Sequence, residues 1–224
     1  MSFYAYNITV KGPTHADLAS YLSSSERRAY VSPSVNGYTI ISDELGKDYT
    51  ELSELAQKIA KEFSCSSLAL QNVDDDMLFY QLFTSENLID QYDSRSSESQ
   101  IFLRGNAEQL CLAFGQPNSV SIMKAVLHDY KDYESDNKLF PMILATDTTR
   151  VFSNNFRQLC RYAGCSEKSI VEVASKSFTS ERMRHSALVA ALNFPWYALL
   201  LQYEDIEDDV WPSDAPELIH TGLS

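Results

Sequence analysis

The chain has 224 residues, is 44% hydrophobic and 22% charged, and carries a formal net charge of -13. That composition is globular, with enough length to bury a sizeable core without staples. Its acidity argues against a nucleic-acid binder, which needs a basic face for phosphate, and against docking on anionic lipid headgroups.

The opening MSFYAYNITVKG has no basic segment leading into an apolar run, so no secretory leader is expected. Within it, Tyr4, Tyr6, Ile8 and Val10 alternate on one face of a strand. Thr14 with Asp17 three residues on reads as a capping box opening a helix. RAYVS and GYTIIS are β-rich runs flanking Pro33 and the turn pair Asn36-Gly37. DYTELSELAQKIAKEF sets Leu52, Leu55, Ile59 and Phe63 at helical spacing, with Asp48 and Glu51 at its start. SSLALQNV then reads as a strand. Strand, helix, strand, strand, helix, strand is the order of a ferredoxin-like unit.

Asp74, Asp75 and Asp76 separate SSLALQNV from the strand-like MLFYQLF. Three consecutive carboxylates on a tight loop point different ways, so a hairpin is expected there rather than a Mg²⁺ or Ca²⁺ site. TSEN and the strand LIDQY follow, completing a meander. The serine-rich stretch 94–100 reads as a linker between residues 1–93 and a mainly helical part, 101–224. In that part, NAEQLCLAFG is bounded by Asn106 as cap and Gly115 as stop. SVSIMKAVLHDYKDY, SNNFRQLCRYAG, SEKSIVEVASK and TSERMRHSALVAAL read as further helices, the last capped by Thr179.

Ala187 to Tyr203 is almost continuously apolar, but Asn193 and Pro195 divide it into halves too short to span a bilayer. A buried helix followed by a closing strand, YALLLQYEDI, is expected instead. The predicted fold is therefore α+β: a ferredoxin-like βαββαβ unit, a β-meander, and a mainly helical part with a closing strand. If that strand rejoins the sheet, the boundary separates two layers of one unit rather than two independent domains.

Glycine is scarce, at 7 residues, and no GxG, P-loop, HExxH or GxSxG pattern occurs. Cys65, Cys111, Cys160 and Cys165 show no CxxC spacing, which suggests reduced thiols in a cytoplasm and no zinc site. No cofactor is expected. His185, beside Arg182 and Arg184 ahead of a buried segment, is the candidate for catalysis, although no triad accompanies it. A capping or partly buried histidine is the plainer reading.

The main anomaly is EDIEDDVWPSDAPE, with seven acids and no base, which supplies more than half of the net charge of -13. Either it is a solvated tail, or Glu204, Asp205, Glu207, Asp208 and Asp209 steer a basic partner onto Trp211. The function expected is a cytoplasmic protein-binding module, of an inhibitor or immunity type, for a basic protein. The alternatives are a small-ligand or self-associating module on the sheet, and an enzyme without a short motif.

Overall fold

The computed structural model describes residues 4–74, 76–85, 87–95, 103–127, 181–199, 202–208 and 216–222. The architecture is α+β, around an antiparallel sheet of seven strands in the order β6-β5-β4-β1-β3-β2-β7. Its strands are β1 (Tyr4–Lys11), β2 (Ala29–Val31), β3 (Tyr38–Asp43), β4 (Ser66–Val73), β5 (Met77–Thr84), β6 (Asn87–Asp93) and β7 (Ile219–His220). The chain divides into two compact units, one of Tyr4–Gln71, Tyr80–Asp90 and Leu200–Ser224, the other holding Asn72–Phe79 and Gln91–Leu199.

In the first unit the helices α1 (His15–Ser24) and α2 (Tyr49–Glu62) begin where the capping residues place them. Thr14 and Asp17 form the reciprocal capping box: each side chain accepts the other's backbone N–H at 3.2 Å. The Asp48 carboxylate accepts from the N–H groups of Thr50 and Glu51. Leu18 and Leu22 from α1 and Leu52, Leu55 and Ile59 from α2 are buried with Ile8, Val10, Val31, Ile41 and Phe83 of the sheet. The spacing of those helical residues puts one apolar stripe toward the strands.

β1 pairs antiparallel with β3, Ile8 opposite Ile41, and β3 pairs antiparallel with β2. The turn into β3 uses Asn36 at φ +55° and Gly37 at φ +80°, and Val35 and Tyr38 exchange both backbone hydrogen bonds across it. Two successive positive φ angles are what a tight type I′ connection requires, and Asn-Gly is the pair that adopts them most easily. All six residues of β3 are buried, and the inner six of β1 and of β4 as well. Alternation in β1 thus marks the face packed on α1 and α2, but the opposite face, with Ala5, Asn7 and Thr9, is also covered. The aspartate loop joins adjacent strands β4 and β5, with Asp74 at φ +55° and the Asp76 N–H donating to the Val73 carbonyl.

In the second unit α3 (Ala107–Ala113) starts at Asn106, whose side chain accepts from the N–H groups of Glu108 and Gln109. It ends in a Schellman arrangement around Gly115 at φ +68°: Gln116 N–H reaches the Cys111 carbonyl and Gly115 N–H the Leu112 carbonyl. α4 (Val120–Leu127) buries Ile122, Met123, Val126 and Leu127. α5 (Glu181–Ala191) buries Leu188, and Phe194 just beyond it meets Phe114 edge to face at 4.8 Å. The helices read at 153–164 and 166–176, the cap Thr179, and residue 130 lie outside the described residues. So does most of the expected linker; of its residues, Ser94 is tied to Leu78 through both backbone and side chain.

One expectation is corrected. Tyr197–Ile206 does not form the closing strand, because Trp196–Leu199 is a 3-10 turn and α6 (Tyr203–Glu207) follows. Pro195 supplies the carbonyl that receives the Ala198 N–H at 2.9 Å, which closes the turn. An unbroken apolar run does not distinguish a strand from a buried helical turn. The strand that closes the sheet is β7, only two residues long, pairing antiparallel with β2. No helix among the described residues is long and apolar enough to cross a membrane.

Candidate functional site

The acidic segment enters the first unit through α6. Glu204, Asp205 and Glu207 lie on this helix, and Asp208 caps its end. Glu204 and Asp205 in the first turn complement the helix dipole, whereas Asp208 at the C-terminal end opposes it. Asp209 and Trp211 lie outside the described residues.

An aromatic cluster holds the helix. Tyr30 and His220 are directly opposite in the β2–β7 ladder, and their rings stack at 4.5 Å. The Tyr203 ring lies 5.1 Å from Tyr30, and its hydroxyl is 3.0 Å from His220 Nε2. The Arg28 guanidinium stands 5.9 Å from the Tyr203 ring centre. Burial, reinforced by Glu207, pushes the Tyr203 phenol well above its ordinary range. The Tyr30 hydroxyl donates to Glu207 at 3.1 Å. Thr221, next to this cluster, ties β7 down: its hydroxyl donates to the Arg27 carbonyl at 2.8 Å and accepts the Ala29 N–H at 3.1 Å.

Beside α6 lies a cavity of about 230 Å³ lined by Tyr4, Tyr6, Lys47, Gln202 and Glu204. The two tyrosines are two residues apart on β1, so they share a face, with ring centres 6.1 Å apart. Lys47 Nζ reaches Glu204 at 2.9 Å, an ion pair whose side chains are 60% and 37% exposed. The backbone under Lys47 is fixed, because Gln71 Nε2 donates to the carbonyls of Gly46 at 2.9 Å and Lys47 at 3.2 Å. Gly46 lets the chain turn tightly after β3: a Cβ there would stand 2.9 Å from the Asp43 carbonyl oxygen.

Half-burial raises the Asp205 carboxyl above its ordinary range, and Glu204 and Asp208 raise it further. A hydrogen bond with Gln202 and the charge of Lys47 act the other way. Nearby, the Arg27 guanidinium clamps the Asp43 carboxylate at 2.6 and 3.1 Å and reaches Glu51 at 3.0 Å. This clamp joins the segment before β2, the end of β3 and the first turn of α2.

Among the described residues, the other sequence candidates are not part of the lining of this cavity. His185 is fully buried, and that burial pushes its pKa down to about 3, so it is neutral at physiological pH. Arg184 is buried too, pairing with Glu181 at 2.9 Å and donating to the Val126 carbonyl at 2.6 Å. It thereby serves one of the carbonyls left open at the end of α4. Arg182 is on α5, with its side chain outside the described residues. Asp74 and Asp76 are exposed, Asp76 being 3.8 Å from Arg95, and Asp75 lies outside the described residues. Among the described residues no group of three His, Cys, Asp or Glu side chains is placed to hold a metal ion. The Cys65 thiol is pushed up to about 11 by burial, which suits a packed rather than a reactive cysteine.

Sequence reasoning reached the acids of α6 but missed Lys47, Gln202, Tyr30 and His220. Only Tyr4 and Tyr6 carried a signal, the two-residue spacing that puts them on one face. Comparison with family models, with curated proteins and with solved structures finds no match to this chain.

Proposed function

We propose that this protein is a cytoplasmic binding module, of an inhibitor or immunity type, that uses the acidic face of α6 to hold a basic protein. The observation that carries the reading is electrostatic. Four acids crowd a short helix, and the Asp205 carboxyl is held above its ordinary pKa first by burial and then by the charges of Glu204 and Asp208, which repel a further negative charge. Glu207 and Asp208 are exposed to an incoming partner. A cationic surface relieves that repulsion on contact and is steered to it from a distance. The aromatic cluster behind the helix supports a preformed surface, which lowers the entropy lost on binding.

The same reading takes Tyr4–Val73 as a ferredoxin-like scaffold. The central order β4-β1-β3-β2, with α1 after β1 and α2 after β3, supports it. β5 and β6 then extend the sheet beyond β4, and β7 extends it beyond β2.

The test is retention of basic proteins by the immobilised full chain at low and high salt, alongside a Glu207→Gln, Asp208→Asn variant. Both positions are exposed, so the variant is expected to fold. The expected outcome is retention that falls steeply with salt and falls again in the variant. Binding indifferent to salt and to both substitutions overturns the proposal.

A further inference from the structure

The geometry points to a guanidinium-binding subsite in the cavity lined by Tyr4, Tyr6, Lys47, Gln202 and Glu204, which takes an arginine side chain of the partner and which Lys47 occupies in its absence. This inference rests on the docking reading above and names the chemistry that the partner presents. It adds a pocket that none of the acidic residues other than Glu204 defines.

Three properties of the cavity fit that occupant. First, Tyr4 and Tyr6 line it, with rings 6.1 Å apart and inclined by 34°, and tyrosine rings carry π surface that a flat cation can meet. Guanidinium groups stack on such faces and are less strongly hydrated than ammonium groups, so they enter more readily. Second, the Glu204 carboxylate lines the cavity and provides two oxygens for a forked donor. Gln202 also lines the cavity, and a carboxamide oxygen can accept from a guanidinium N–H. Third, about 230 Å³ accommodates a guanidinium with part of its methylene stem.

Lys47 is the resident cation. Its ammonium holds Glu204 at 2.9 Å, but 60% of its side chain is exposed, so the pair contributes little in water and is readily exchanged. Its backbone is anchored by Gln71, so the exchange moves the lysine side chain and leaves the loop in place. Lys47 thus keeps Glu204 neutralised before the partner arrives and competes with the guanidinium that replaces it.

The assignment makes a prediction of sign: removing the competing positive charge of Lys47 strengthens the binding of a cation. The probe is Nα-acetyl-L-arginine methylamide, whose single charge is the guanidinium, added to the full chain while the ring resonances of Tyr4 and Tyr6 are followed by NMR. Saturable shifts of both rings are expected, with weaker binding of the corresponding lysine derivative. Glu204→Gln is expected to weaken binding about tenfold, the loss of a charge-assisted contact. Lys47→Gln is expected to tighten it about two- to fivefold, the release of an exposed ion pair. Unchanged thermal unfolding of both variants establishes that the fold is retained.

The inference is overturned if neither ring responds, if Glu204→Gln has no effect, or if Lys47→Gln weakens binding, which would mean that the pocket uses Lys47 to hold an anionic group. Salt-sensitive retention of basic proteins with silent Tyr4 and Tyr6 rings would sink the subsite and leave the docking reading standing. Probe binding at the rings without such retention would support the subsite and remove the docking reading.

Discussion

The core between α1, α2 and the sheet and the attachment of α6 and β7 belong to one unit, yet different forces hold them. The core is apolar and buried, with Ile8, Leu18, Leu22, Leu52 and Ile59 fully removed from water. Its stability comes from area taken out of solvent and from close packing. The attachment has a two-residue strand, two stacked rings, one buried hydroxyl and an exposed ion pair. Each of these contacts is directional and modest in net worth. The comparison teaches that the fold and the candidate site are separable: the core sustains the scaffold, and the attachment sets the position of the acids and the cavity.

The largest effect expected is in the core. Ile59→Ala removes buried side-chain volume between α2 and the sheet and is expected to cost about 2–5 kcal/mol. Denaturant unfolding measures it, and a loss below about 1 kcal/mol would mean that the core relaxes around the hole and is not the firm partner in this comparison. Next is Thr221→Val, which keeps the shape but removes the hydroxyl that accepts the Ala29 N–H. The cost expected is about 1–3 kcal/mol, the penalty for a buried donor left without a partner. Hydrogen exchange sharpens the test: amides of residues 219–222 are expected to exchange faster while those of Ile8 and Val10 stay protected. Equal loss of protection in both would erase the distinction between core and attachment.

The smallest effect expected has the opposite sign. Asp205 has a folded-state pKa above its ordinary value, so the folded chain binds the proton more tightly than the unfolded chain. Its contribution therefore favours folding more as pH falls through the folded and then the unfolded pKa, and disfavours it at neutral pH. Asp205→Asn removes this charge and is expected to give a slight gain in melting temperature at pH 7. The gain is expected to disappear in acid, where the native aspartate is itself neutral. Thermal unfolding at both pH values checks this, and destabilisation at pH 7 would mean that the carboxylate has a cationic partner that outweighs its like-charged neighbours.

Local signals in this chain are strong where chemistry and geometry coincide. Thr14 with Asp17, Asp48, Asn106 and Gly115 each mark a helix end because the side chain, or its absence, meets an orphaned backbone group within a few residues. Asn36-Gly37 marks a turn for a similar reason. The Tyr197–Ile206 stretch was misread because its signal is burial, and a buried run looks alike in strand and helical turn. The candidate site was half legible. Its acids announce themselves as a charge run, but their counter-charge Lys47 stands 157 positions before Glu204 and carries no local mark.

The sequence alone therefore determined the class of element at most positions up to residue 127, the acidity of the molecule and the catalytic motifs it lacks. These depend on side chains acting on their own backbone or on the summed charge, and both are properties of short range or of composition. Tertiary structure decided three things: that Ile219–His220 closes the sheet, that α6 rather than a strand carries the acids, and that Tyr4, Tyr6, Lys47, Gln202 and Glu204 share one cavity. Each requires residues far apart in the chain to meet, and such meetings are set by how the whole chain buries its apolar surface rather than by any local preference.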